Sequence, residues 1–344
     1  MREQNRREEA MKTPKKILND PRHATAEMME GLLRAYDGRV SQVEGYGALY
    51  LNEIRPGKVA LLVGGGSGHE PIFGGFLGRN LADGAACGEV FTSPPPQTIC
   101  EAARAIHRGK GVLFVYGNYS GDNMNFDMAA EFLAAEGIET RTVRVRDDVA
   151  TGAPDRPDER RGIAGDVFVI KVAGGAAAEL DSLDEVARVA ARAEANTRSM
   201  GVAVSPGSLP ESGKPTFEIG DDEIEIGMGA HGEKGVKRQK LTTADDIVDQ
   251  MMAPILKDLP FSKGDEVALL VNNLGATTMF ELLIANRRVR QILDREGIRV
   301  HRSFVGSWLT SMEMAGFSIS LMKLDDELKH YLDLPAASFG FTSL

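Results

Sequence analysis

Cysteine is nearly missing from this chain: Cys87 and Cys100 stand alone among 344 residues and form no Cys-x-x-Cys pair. That excludes a disulfide framework and a zinc ribbon, and leaves two thiols suited to burial in a reducing compartment. The six histidines show neither His-x-x-x-His nor His-Glu-x-x-His spacing, so no metal site is expected. No stretch approaches the ~18 apolar residues that a spanning helix requires. The opening segment MREQNRREEAMKTPKK is charged throughout and lacks the apolar core of a secretory leader. Residues 1–16 are expected to form a flexible tail, with no membrane partner and a cytoplasmic location. An excess of positive charge is missing too. The formal net charge of −10 argues against nucleic acid or an anionic membrane as the main partner. No repeat period or low-complexity segment is visible.

Glycine, by contrast, is plentiful. The chain holds 38, about 11% against a background of about 7%, which points to many tight loops. Apolar spacing predicts helices over 24–36, 123–136, 182–199, 243–259 and from the NNLGATT loop to about 296, with a short one over 325–332. Strands are predicted at 58–63, 112–116, 138–146, 201–204, 223–227, 266–271, 298–305 and 317–324. Residues 162–180 mix β-branched residues with alanine and favour helix only slightly. Strands emptying into glycine loops before helices specify an α/β layer. The expected organisation is a tail over 1–16, a first α/β domain over 17–196 and a second over 197–344, with a seam between about 196 and 210.

Three loops could carry chemistry. Gly64-Gly65-Gly66-Ser67-Gly68-His69-Glu70-Pro71 follows a strand, where ligands of open α/β sheets gather. It is neither a dinucleotide fingerprint, which needs glycine where His69 stands, nor a P-loop, since no Gly-Lys-Ser/Thr follows; a tight turn with an incidental histidine remains open. Gly117-Asn118-Tyr119-Ser120-Gly121-Asp122 also ends a strand, and Asp122 is either a proton acceptor or a helix cap. Gly227-Met228-Gly229-Ala230-His231-Gly232-Glu233 presents a poorly shielded imidazole, able to act as a nucleophile or, less readily, as a metal ligand. Trp308, Met312 and Met314 read as packing residues.

Taken in order, GGGSGHEP, VFTSP, NYSGD, RGIAG, GMGAHGE, NNLG and GFS resemble the K subunit of dihydroxyacetone kinases, over roughly Ile17 to Leu324. The resemblance implies two α/β domains with mixed sheets, assembled as a homodimer. It implies that His231 attacks a ketone carbon to form a hemiaminal, while His69 and Asp122 orient and deprotonate the terminal hydroxyl. Gly66 and Ser93 fall at positions of substrate hydrogen bonds, and Ser67, Gly68 and Gly117 are taken as substrate-binding with them. One departure stands out: relatives acting on dihydroxyacetone carry lysine where this chain has Gly117. The smaller residue points to a larger ketose such as erythrulose.

No Walker loop, kinase-type catalytic loop or magnesium-holding aspartate cluster is present. No cofactor is therefore expected on this chain. The resemblance implies that Mg-ATP or Mg-ADP sits on a separate L-type subunit, whether exchanged there or recharged by a phosphotransferase-system protein. The expected activity is phosphotransfer to an alcohol group, with a ketose-sensing coregulator of the same fold as the alternative.

Overall fold

The computed structural model describes residues 15–344; residues 1–14, and with them most of the expected tail, lie outside the described residues. The first sheet contains β1 (Val40–Gln42), β2 (Ala48–Leu51), β3 (Ala60–Ser67), β4 (Gly84–Val90), β5 (Val112–Gly117) and β6 (Thr140–Val145), in the order β1-β2-β4-β3-β5-β6. Its centre is parallel, from β4 through β3 and β5 to β6, while β1 and β2 are antiparallel. The second sheet contains β7 (Thr197–Ser205), β8 (Glu223–Ile226), β9 (Lys237–Lys240), β10 (Glu266–Asn273), β11 (Arg299–Gly306) and β12 (Ala315–Leu324), in the order β11-β10-β12-β7-β8-β9. Only its β10–β11 pair is parallel. Both sheets are mixed, and the fold is α/β.

The central strands read as continuous apolar runs because both of their faces are covered. One face of the first sheet, with Leu62, Phe114 and Tyr116, packs against α2 (Pro96–Ile106) and α3 (Ser120–Ala135). One face of the second, with Val267, Leu269 and Leu321, packs against α6 (Ala244–Asp258) and α7 (Met279–Glu296). The two remaining faces meet in one cluster that includes Leu61 and Val115 from the first sheet and Leu270 and Met322 from the second. Between them lies α4 (Asp166–Glu179), buried without a break from Asp166 to Ala177. A helix enclosed on every side has no polar face, which is why the 162–180 pattern was ambiguous.

α5 (Leu183–Ala195) and α8 (Asp326–Asp333) flank α4, while α1 (Ala24–Ala35) lies near the amino end. Caps mark the helix starts. Ser182, Thr243 and Asp325 each accept a backbone amide of the following turn, and Thr278 with Glu281 forms a reciprocal capping box on α7. Among the described residues no helix is long and apolar enough to cross a membrane.

Several boundaries differ from the sequence reading. The helix expected over 182–199 stops at Ala195, because residues 197–200 pair with β12 in the second sheet. The glycines Gly64, Gly65 and Gly66 are strand rather than loop, hydrogen-bonded beside Ala86, Cys87 and Gly88 of β4. β4 itself (GAACGEV) carries almost no β-branched or aromatic residue, so local propensity cannot announce it.

A buried ion pair ties the segment before α4 to the end of α6. The guanidinium of Arg160, 1% exposed, donates to both carboxylate oxygens of Asp258 at 2.9 and 2.5 Å, and Arg198 donates to the same group. Removing one partner would leave Arg160 uncompensated in the interior. Asp258→Ala is therefore expected to lower unfolding free energy by about 3–5 kcal/mol, read by urea denaturation; a loss below about 1 kcal/mol would show that water solvates the two guanidinium groups left behind.

Candidate active site

The carboxyl ends of β3 and β5 form one wall of the site, the edge where open α/β sheets gather ligands. Beyond β3 the chain turns through Gly68, whose φ of +95° suits a residue without a side chain, and this brings in His69. The imidazole is 5% exposed. Its Nδ1–H donates to the Thr310 carbonyl at 2.7 Å, which fixes the tautomer and turns Nε2 toward the cavity.

His231 enters from the second half, on the connection between β8 and β9. Its Nδ1–H donates to Glu233 Oε1 at 2.8 Å, and its backbone amide donates to Oε2 of the same carboxylate at 2.8 Å. The two histidines meet Nε2 to Nε2 at 2.9 Å. Both outer nitrogens already carry protons, so a hydrogen bond at this distance requires one further proton held between the inner pair. Burial, with the neighbouring His231, pushes His69 down to about 3, so His69 gives up a proton readily. Burial alone would raise Glu233, but its bond to His231 prevails and holds the carboxyl down to about 2, so a full negative charge stands behind the ring.

The contact is held by residues 310–312, of which the sequence reading had named only Met312, as packing. The Thr310 hydroxyl donates to the Glu70 carbonyl at 2.8 Å, Met312 N donates to the Gly68 carbonyl at 3.0 Å, and the Ser311 hydroxyl donates to the Ala230 carbonyl. Residues 310–312 thus bond to both histidine loops. The RGIAG motif contributes as well. Arg161 binds Asp148 and donates to the Gly227 carbonyl at 2.9 Å, anchoring the His231 loop. A Cβ on Gly162 would stand 2.5 Å from Gly117 Cα, so the two bare backbones can touch.

Asp122 sits in the first turn of α3, but it is not the cap: that position belongs to Tyr119, and no side chain caps this helix. Asp122 Oδ2 accepts the Ser93 hydroxyl at 2.8 Å, while Oδ1 has no partner. Burial raises the carboxyl to about 6, with the Ser93 bond opposing. Gly66, His69, Gly117, Asp122 and His231 all line one cavity of about 30 Å³. Ser67 does not line it: its hydroxyl donates to the Gly88 carbonyl at 2.7 Å. Nor does Gly68, whose role is the turn. Ser93 stands behind Asp122 rather than on the cavity surface.

Four participants were not singled out from sequence. Phe91 and Tyr119 pack edge-on against His231, at 5.2 and 4.8 Å between ring centres. Glu233, two residues after His231, was written within its motif without a role. Asp166 opens a largely apolar helix whose other ionisable residues are Lys171 and Glu179, and that near-isolation was the only signal. The cavity lining holds two histidines and two carboxyl groups but no lysine or arginine to meet a polyphosphate, which suits a small polar solute rather than a nucleotide. Among the described residues, no three His, Cys, Asp or Glu side chains group as a metal site. The residues here do not fit a magnesium nucleotide.

The Dak1 domain model matches residues 30–340. The chain is 43% identical to the dihydroxyacetone-binding subunit DhaK of PTS-dependent dihydroxyacetone kinase 2 from Listeria innocua, across 93% of this chain and 97% of that protein. It is 41% identical to the D-erythrulose kinase of Mycolicibacterium smegmatis across 93% of its length, spanning 55% of that longer protein. Among solved structures, the dihydroxyacetone kinase operon co-activator Dha-DhaQ superposes with a TM-score of 0.87 at 30% identity, covering 92% of this chain and 98% of that one. On the match from residue 30 to 340 and on these identities, this chain belongs to the Dak1 family of dihydroxyacetone kinase K subunits, DhaK.

Proposed function

We propose that this chain is the ketose-binding subunit of a kinase that phosphorylates an alcohol group, and that it captures a short-chain ketose covalently on His231. The observation that carries the reading is the 2.9 Å contact between the two Nε2 atoms, with Asp122 in the same cavity. The ligand-free proton count makes the addition self-contained. With the shared proton on His69 Nε2, the free lone pair of His231 Nε2 bonds to the ketone carbon, the carbonyl π pair moves onto oxygen, and that oxygen takes the proton from His69. The alkylated ring keeps its Nδ1–H on Glu233, so the site's net charge is unchanged. A small sugar offers few contacts, and a reversible covalent anchor supplies orientation instead. Glycerol has no carbonyl and is not captured.

With the ketone carbon fixed, Asp122 accepts the proton of the terminal hydroxyl as that oxygen is phosphorylated. The phosphoryl group comes from a magnesium nucleotide on a separate L-type subunit, a reading supported by the likeness to relatives named as dihydroxyacetone-binding subunits. The likeness to a dihydroxyacetone-binding subunit of a PTS-dependent kinase supports such a partner, and the family likeness extends the proposal to a homodimer. A second reading, a ketose-responsive regulator, is favoured by the likeness to a co-activator. A sensor needs the anchor but has no use for a base such as Asp122, and both are present here.

His231→Ala is expected to weaken dihydroxyacetone and erythrulose binding by at least about 100-fold in calorimetry and to remove continuous density from ring to ketose in soaked crystals. Binding equal to that of the unaltered chain would refute the anchor. Reconstitution with an L-type subunit and magnesium nucleotide decides between enzyme and sensor: persistent ketose binding without turnover selects the sensor.

Asp122 must be ionised to act as a base, so the ionised fraction rises through its value of about 6. The rate with saturating ketose is expected to be level above pH 7, near half-maximal at pH 6 and about tenfold lower at pH 5. Asp122→Asn should slow turnover by about 10²–10⁴ while ketose binding persists. A profile flat from pH 5 to 8 would count against this role.

A further inference from the structure

Asp166 opens α4 and is 1% exposed, yet its Oδ1 has no hydrogen-bond partner. Buried polar atoms are normally satisfied, and an orphan calls for a reason. Its neighbour Asp147 shows what a structural carboxylate looks like at this place: fully buried, with one oxygen accepting Ile163 N and the other Gly165 N, each at 2.8 Å. Asp166 has no such arrangement. It lines the same cavity as His231 and Asp122.

The surface over which it stands is bare. A Cβ added to Gly117 would lie 3.4 Å from Asp166 Oδ2 and 3.4 Å from the Tyr119 ring, so any longer side chain at 117 would crowd the carboxyl. Tyr119 OH is buried and unpartnered too, which places a second unsatisfied polar atom close by. Burial, with Asp147 and Asp122 nearby, holds the Asp166 carboxyl well above the usual carboxylate range. A neutral carboxylic acid both donates and accepts, as a sugar hydroxyl does.

We propose that Asp166 is a specificity-determining residue that hydrogen-bonds the additional hydroxyl of a ketose one carbinol longer than dihydroxyacetone. The proposal rests on the ketose reading of this cavity. With the ketone carbon on His231, one arm of the substrate reaches Asp122 and the other lies over Gly117 against Asp166. A site built to bind a hydroxyl discriminates strongly against the analogue lacking it, because its own polar atoms are then left unpaired. A resident water paired with Asp166 would instead affect short and long ketoses alike.

The test is calorimetric binding of dihydroxyacetone, D-erythrulose and L-erythrulose to the unaltered chain and to Asp166→Val and Asp166→Asn. The unaltered chain is expected to bind one erythrulose enantiomer at least about tenfold more tightly than dihydroxyacetone. In Asp166→Val that preference falls to within about threefold, while dihydroxyacetone affinity stays within about threefold of its starting value. Asp166→Asn keeps a donor and an acceptor in the same shape, so it retains the preference and shows that position 166 tolerates substitution. Parallel weakening for all three ketoses in both variants would overturn the proposal, as would an unaltered chain that prefers neither enantiomer. Absence of any ketose binding by the unaltered chain is a different result: it refutes the ketose reading itself, and this inference with it.

Discussion

The site depends on two imidazole nitrogens held 2.9 Å apart. Neither ring can adjust freely, because each is fixed by its outer nitrogen, His69 on the Thr310 carbonyl and His231 on Glu233. The shared proton follows from those two bonds. So does the direction in which His231 can act, since Nε2 is the only ring nitrogen left facing the cavity. The segment 310–312 and Arg161 act through this contact: both keep loops from opposite halves of the chain in register.

Three carboxyl groups around the cavity are set to different states by their surroundings. Glu233 is held down by the imidazole that it orients, Asp122 is raised by burial to about 6 with the Ser93 bond opposing, and Asp166 is raised by burial beside other acids. One supplies fixed negative charge, one titrates near neutrality, and one is pushed toward its protonated form. Perturbed neighbours of this kind mark functional sites, and here each shift has a separate structural cause.

α4 links the site to the core. Its body fills the space between the inner faces of the two sheets, and its first residue is Asp166. The approach to the helix carries Arg160, paired with Asp258, and Gly162, packed on Gly117. Packing of the apolar helix therefore sets where the carboxyl stands, and the site's wall inherits the rigidity of a close-packed interior.

Much of this was legible along the chain. Apolar runs such as ALLV and VLFV announced the central strands, and helical spacing announced α5, α6 and α8. The glycine-flanked histidines and Asp122 stood out because their local chemistry is uneconomical as mere packing. The sequence also determined the family resemblance, through motifs that need only their order. Less was legible where partners lie far away. β4 forms because β3 and β2 offer it edges, not because its own residues favour strand. The ambiguous 162–180 stretch became helix because two sheets enclose it. Thr310, Ser311 and Phe91 gained roles only by meeting loops distant in sequence. Local composition specifies which groups can do chemistry; hydrogen-bond geometry, burial and the resulting protonation states arise between distant residues, and only the folded chain decides them.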